Sequence, residues 1–254
     1  MLQSADTIIP EWPVPRNVKA LITTRRGGVS VGAYASLNLG RHVGDDLLSV
    51  EENRRRICAH LPAEPLWLEQ VHGTRVVKIT AEVCAHGKDY SMPPRADAAT
   101  TRLNKRPCAV MVADCLSILF CDTGGSCVAA AHAGWRGLAG GVVERTVEAM
   151  EVAPQSVMAY LGPAIGATAF EVGQDVVDAF ASRSPDSRRA FQLVAGKPGK
   201  YLADIYELGR QRLSAAGVTQ VYGGGLCTVS TPDHFFSYRR DGQTGRMAAI
   251  IWLA

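Results

Sequence analysis

Nowhere does an uninterrupted apolar run approach the roughly 20 residues needed to cross a bilayer, and the most apolar stretch, residues 109–120, is broken by Asp114. The first thirty residues also lack a basic start followed by an apolar run, since Ile8-Ile9 is cut short by Pro10, Pro13 and Pro15. No secretory leader and no membrane partner are expected. The seven cysteines are odd in number and contain no CxxC pair, which argues against a disulfide framework and for free thiols in a reducing, cytoplasmic compartment. Charge of one sign is scarce as well. A net +3 spread along the chain leaves no footprint for nucleic acid, and Arg54-Arg55-Arg56 is expected to be a solvated helix face. Internal repeats, low-complexity tracts and Pro/Gly/Ser-rich linkers are absent, so residues 1–254 are expected to form one domain of undetermined oligomeric state.

What is present is an ordinary globular composition, 47% hydrophobic and 20% charged, in a chain long enough to bury roughly three quarters of its unfolded surface. Val18 to Thr24 reads as a strand, and the glycine-rich stretch from Gly27 to Gly40 reads as a loop too long to be idle. Asp45 or Asp46 can cap a helix that ends before Pro62, with Leu47, Val50, Ile57, Cys58 and Leu61 on one face and the arginines facing outward. Leu66, Leu68, Gln70 and His72 alternate as a strand face, followed by a Gly73-Thr74 turn and a return strand over Val76 to Ile79. Residues 81 to 96 read as a loop. Apolar strands are expected over Cys108 to Val112, Leu116 to Cys121, Cys127 to His132, Val157 to Leu161 and Met247 to Leu253, with another near Val221. Helices are expected after Gly134, around Val176 to Phe180, and from Leu202 through Leu213.

This reading puts His72, Cys115 and His132 at strand ends, beside glycine or a short polar break, where side chains reach a cleft. Two imidazoles and a thiolate suit zinc, and three protein ligands leave a fourth position open for water or substrate. Their spacing matches no general zinc pattern, so buried structural histidines and an inert thiol fit the residues too. Cys115 with His132 as a thiol nucleophile and its base is another possibility. Gly28-Val29-Ser30-Val31-Gly32 satisfies G-x-S-x-G, but the helix that a nucleophile elbow needs does not follow it.

Leu68-Glu69-Gln70-Val71-His72-Gly73-Thr74, Ala113-Asp114-Cys115-Leu116 and Ala131-His132-Ala133-Gly134-Trp135-Arg136-Gly137 together resemble one bacterial family. It is the purine nucleoside phosphorylase or laccase-domain family, formerly called multicopper polyphenol oxidase. Thr24-Arg25-Arg26-Gly27-Gly28-Val29-Ser30, Ser36-Leu37-Asn38-Leu39-Gly40, His42-Val43-Gly44-Asp45-Asp46 and Phe235-Phe236-Ser237-Tyr238-Arg239-Arg240-Asp241-Gly242 extend the resemblance nearly end to end. The resemblance implies an α+β fold of mixed β-sheets packed together with flanking helices, similar to the cytotoxic necrotizing factor-type cysteine hydrolases.

It also implies a zinc enzyme that cleaves adenosine, inosine, guanosine or S-methyl-5'-thioadenosine with phosphate, with adenosine deamination in some members. His72, Cys115 and His132 match the family's metal ligands one by one. A peptidoglycan-precursor editing hydrolase acting on a UDP-muramyl substrate is a second implied activity, and a non-catalytic metal-bound interaction protein is a third reading. The polyphenol oxidase label, and with it copper, fits less well, because multicopper oxidases as a family are understood to need more histidines, many in HxH pairs, than the six without an HxH present here. A single copper of the blue type would want an axial methionine near the ligands, and none follows Cys115 or His132 closely; Met111 is the nearest, and core packing explains it. Asn38, His42, Gln70, Asp114, Arg136 and Arg239 are the expected substrate-binding residues. Arg41 and Arg240 join the arginines as candidates for phosphate, since walker and GxGxxG phosphate loops are lacking.

Overall fold

The apolar runs fold as strands of two stacked sheets in the computed structural model, which describes residues 3, 6–82 and 93–254. One sheet is antiparallel throughout and has the order β1 (Thr7–Ile8), β2 (Val18–Thr23), β13 (Met247–Leu253), β5 (Cys108–Val112). The other is mixed, in the order β12 (Gln220–Gly223), β8 (Val157–Leu161), β6 (Leu116–Asp122), β7 (Val128–Ala133), β4 (Ala98–Thr101), β3 (Val76–Ile79). Its two outermost pairs are parallel and its inner pairs antiparallel.

Side-chain alternation divides the core into layers. Along β6, Leu119 and Cys121 meet Val110 of β5 and Ile251 of β13 between the sheets. Leu116, Ile118 and Phe120 point the other way, toward α3 (Val142–Met150), α4 (Gln174–Ala181) and α5 (Ile205–Ala215). A strand buried on both faces needs no polar alternation, which explains why these segments read as continuous apolar runs. A small antiparallel sheet, β10 (Phe191–Leu193), β11 (Lys200–Ala203), β9 (Glu171–Gly173), adds Val172, Phe191 and Tyr201 to the same layer. On the far side of the four-stranded sheet, α1 (Leu47–Cys58) and the 27–40 loop cover Ala109, Met111 and Ile250 with Ile57, Leu37 and Leu39. Among the described residues no helix is long and apolar enough to cross a membrane.

Several local expectations need correction. Residues 66–72 make only isolated bridges, Leu66 with Cys108 and Glu69 with Arg95, and the chain leaves extended conformation at His72, where φ is +59°. The helix after Gly134 is two helices, α2 (Trp135–Gly140) and α3, because Gly141 sits at φ +106° and turns the chain between them. Leu202 belongs to β11, and α5 starts later because the Asp204 carboxylate caps the N–H groups of Tyr206 and Glu207. Most of the loop expected over residues 81 to 96 lies outside the described residues. At α1 the cap is Asp46, which accepts from Ser49. Arg54 does not face outward: it is 5% exposed, stacks 4.3 Å over the Trp67 ring and donates to the Leu39 carbonyl. Arg55 and Arg56 do pair with Glu52 on the surface.

The 27–40 loop is organised from α1. Asn53 is fully buried; its amide nitrogen donates to the Ser30 hydroxyl and the Ser36 and Asn38 carbonyls, while its oxygen accepts from the Val29 N–H. Ser30, the middle residue of the G-x-S-x-G match, also donates to Asp45, so it is a strut of the loop. Asn53→Ala removes four hydrogen bonds, two of them buried, and is expected to lower unfolding free energy by about 3 kcal/mol, measurable by urea denaturation. A change below about 0.5 kcal/mol would show that the loop is held elsewhere.

Candidate metal centre

Strand register assembles the centre. β6 and β7 pair with Leu116 opposite Ala133, so Cys115 and Gly134 continue the ladder by one step on each side. β4 and β7 pair with Ala98 opposite Ala131, which brings Asp97 opposite His132, and the His132 N–H donates to the Asp97 carbonyl at 2.7 Å. The chain reverses between β5 and β6 through Asp114 at φ +89°. It reverses again at His72, also left-handed, beside Gly73.

Asp97 ties these pieces together. Its carboxylate is fully buried and accepts the N–H groups of His72 (2.9 Å), Gly73 (2.7 Å) and Val71 (3.3 Å), while Oδ1 lies 2.8 Å from His132 Nδ1. Burial disfavours its charge, but the His132 ring and the Gly73 and Val71 N–H groups outweigh that and hold its pKa below the ordinary value. A carboxylate at Nδ1 fixes the proton there and leaves the Nε2 lone pair of His132 free for the site.

The donor atoms of His72, Cys115 and His132 all lie within 4.8 Å of one another, and Cys115 Sγ is 3.8 Å from His72 Nε2. Around a tetrahedral zinc neighbouring donors stand roughly 3.4–3.7 Å apart, so the group fits that ion in chemistry and within about 1.5 Å in spacing. It is the one such group of three among the described residues. Burial of Cys115 opposes its ionisation, yet His132 and His72 together pull its pKa down to about 6. His132 is correspondingly raised by the Cys115 thiolate and Asp97 against the effect of burial. His132 is buried, Cys115 half-buried and His72 exposed, so the centre reaches solvent on the His72 side. Met111 does not belong to it, because its sulfur rests against Arg54.

The other expected residues have varied places. Asn38 is fully buried, and its amide group is occupied by Gly40, Asp45 and the Arg246 N–H, so it shapes the loop instead of reaching out of it. Gln70 clamps both backbone groups of Met111 at 2.7 Å and joins the 66–72 segment to β5. Asp114 accepts from the Thr228 hydroxyl and the Arg239 N–H, pinning the turn before Cys115 to the C-terminal segment. A polar residue in an apolar context looks like a ligand group in a sequence, and here each of the three satisfies buried backbone or a neighbouring chain segment. His42 lies at the surface with its ring partly desolvated by its surroundings, and this, then Arg246 and Arg54, lowers its pKa. Arg136 is exposed and stacks 4.4 Å over Trp135. The Arg239 guanidinium donates to the Ala169 and Glu171 carbonyls. Arg41 pairs with Glu51, and Arg240 pairs with Asp241 and caps three carbonyls.

Sequence reasoning missed Asp97 and Gly134. The only signal for Asp97 is a single acid interrupting the small residues Ala96 and Ala98-Ala99. Gly134 sits in the centre itself: a Cβ there would stand 2.8 Å from His72 Cδ2, 3.0 Å from Cys115 Sγ and 3.4 Å from His132 Nε2.

Residues 19–254 match the family model described as multi-copper polyphenol oxidoreductase laccase. A purine nucleoside phosphorylase of Escherichia coli is 52% identical over 97% of this chain and 98% of its own length. A purine nucleoside phosphorylase of Pseudomonas aeruginosa is 50% identical, again over 97% and 98%. The crystal structure of a Neisseria meningitidis protein superposes with a TM-score of 0.90 at 54% identity, covering 98% of this chain and 99% of that one.

Proposed function

The chain belongs to the multi-copper polyphenol oxidoreductase laccase family, and we propose that within it the chain is a purine nucleoside phosphorylase working on a single zinc ion. The observation that carries this reading is the convergence of two imidazoles and one thiolate on a point open to solvent on the His72 side. The name shared by relatives half identical over nearly the whole chain supports the reaction class. Zinc held by His72, Cys115 and His132 would supply Lewis acidity toward an oxygen of phosphate or water.

The chain's own residues keep the centre ready for it. Asp97 retains the proton on His132 Nδ1, the two imidazoles keep the Cys115 sulfur as thiolate, and the arms of Gln70 and Asp114 fix the segments that carry the ligands. In the reaction a phosphate oxygen bonds to C1′ of the ribose as the bond to the purine nitrogen breaks, releasing the base and ribose 1-phosphate. Adenosine, inosine, guanosine and S-methyl-5'-thioadenosine are the substrates of this reading.

The test is protein stripped of metal, reloaded with zinc or with copper, and given adenosine with and without phosphate. Phosphate-dependent ribose 1-phosphate with zinc is the expected result. Inosine instead would mark a deaminase, release of an amino acid from a UDP-muramyl substrate would mark an editing hydrolase, and oxidation of a phenol with copper would restore the polyphenol oxidase reading. No turnover at all would sink the enzymatic readings.

A second reading rests on one alignment. Cys115, His132 and Asp97 also stand in the order of nucleophile, base and orienting acid. Iodoacetamide separates the two. A zinc ligand should resist alkylation until the metal is chelated, and the freed thiol, with its lowered pKa, should then label half-maximally near pH 6 instead of near the ordinary thiol value. Rapid labelling of Cys115 with zinc fully bound, or a substrate adduct on its sulfur, would favour the cysteine hydrolase.

A further inference from the structure

Arg246 stands immediately before β13, whose Met247 pairs with Val112, so the ladder carries it toward the turn that ends in Cys115. Its N–H donates to Asn38 Oδ1 at 2.9 Å, and its stem lies over Gly40, where a Cβ would come within 2.9 Å of Arg246 Cγ. Nη1 donates to the Thr244 and Gly245 carbonyls at 3.1 and 3.0 Å. Nε and Nη2 have no hydrogen-bond partner and no carboxylate among the described residues. The side chain is half-buried, and burial lowers its pKa against the opposing pull of Cys115 and then Asp114. Both oxygens of Asp114 are already engaged by Thr228 and Arg239.

A guanidinium taken partly out of water is normally matched by a carboxylate or another anion. Arg41 and Arg240 have such partners, Arg239 is turned to two carbonyls, and Arg136 lies on an exposed indole. Arg246 has an unused edge of two N–H-bearing nitrogens, the geometry with which arginine holds two oxygens of one phosphate, and the register of β13 on β5 sets the residue near the turn that leads into Cys115. We propose that Arg246 anchors an oxyanion subsite next to the His72, Cys115 and His132 centre and that inorganic phosphate, the second substrate of the phosphorolysis, binds there. The proposal rests on the phosphorylase reading for its ligand and on the unpaired guanidinium for its place.

Two measurements on the full zinc-loaded chain decide it. In calorimetric titration with inorganic phosphate, Arg246→Gln should weaken binding by about tenfold or more, and Arg246→Lys should recover part of the loss. Zinc content and KM for the nucleoside should stay within about twofold of wild type while KM for phosphate rises. In wild-type protein, saturating phosphate should protect Arg246 from phenylglyoxal, read by peptide mass spectrometry, so the answer does not depend on a variant that folds. Unchanged phosphate affinity in Arg246→Gln with zinc in place, equal labelling with and without phosphate, or a loss that follows Arg136→Gln instead would overturn the assignment. A parallel titration with UDP covers the other source of a phosphate group. Arg246-dependent binding of UDP without binding of inorganic phosphate would also overturn it. Absence of ribose 1-phosphate formation in wild type would remove the phosphorylase reading alone, because phosphate binding and protection still report on Arg246.

Discussion

His132→Ala is expected to leave a folded chain that no longer retains zinc and turns over no nucleoside, a loss of at least about a thousandfold in kcat/KM. The imidazole is the innermost of the three donors and the one whose ring is fixed by a buried carboxylate. Its removal takes away one of the three donors proposed to hold the metal and also leaves Asp97 without the partner that offsets its burial. Asp97→Asn separates these effects, since an amide keeps the shape but cannot hold the Nδ1 proton in the same way. Metal affinity is then expected to fall by roughly 10–100-fold, as for other residues that orient a ligand. Competition with a chromogenic chelator gives both affinities. Wild-type zinc retention in His132→Ala would remove His132 from the centre.

Gly134→Ala should give nearly as large an effect by the opposite route, adding one carbon instead of deleting a ligand. The backbone of Gly134 has φ −58° and ψ 153°, values that any L-residue adopts, so alanine brings no conformational penalty there. The new methyl would stand 2.8 Å from His72 and 3.0 Å from the Cys115 sulfur, both closer than contact distance. Either the ligands spread or the metal is excluded. Zinc content and kcat/KM are expected to fall by about a hundredfold or more, while the melting temperature of the metal-free protein moves by only a few degrees. Stoichiometric zinc at wild-type affinity in this variant would mean that the donors close on the metal from another side.

The layers of the fold were legible because β5, β6, β7 and β13 are buried on both faces and therefore appear as apolar runs with sharp polar ends. The meeting of His72, Cys115 and His132 could likewise be anticipated from three ligand-type side chains at the ends of neighbouring segments. Asp97 could not, because one acid among alanines carries no period, and its meaning lies in the residue that the sheet places opposite it. Arg54 misled for a related reason: it sits in a run of three arginines, but only its position meets Trp67 and the Leu39 carbonyl. The roles of Asn38 and Gln70 in holding the 27–40 loop and β5 were not legible either, because polarity is visible in a sequence while the backbone groups it satisfies are not.

The alanine content of β4 and β7 has one more consequence. Ala98-Ala99 faces Ala130-Ala131, and small identical methyl groups on both strands scarcely distinguish the correct pairing from one displaced by two residues. Such a slip would keep every alanine on its proper face. It would also carry Asp97 away from His132 and leave a carboxylate and an imidazole buried apart from each other. The Asp97 and His132 pair, with Thr100 bonded to the Val128 carbonyl, thus serves as an alignment key for two strands whose packing alone is nearly degenerate.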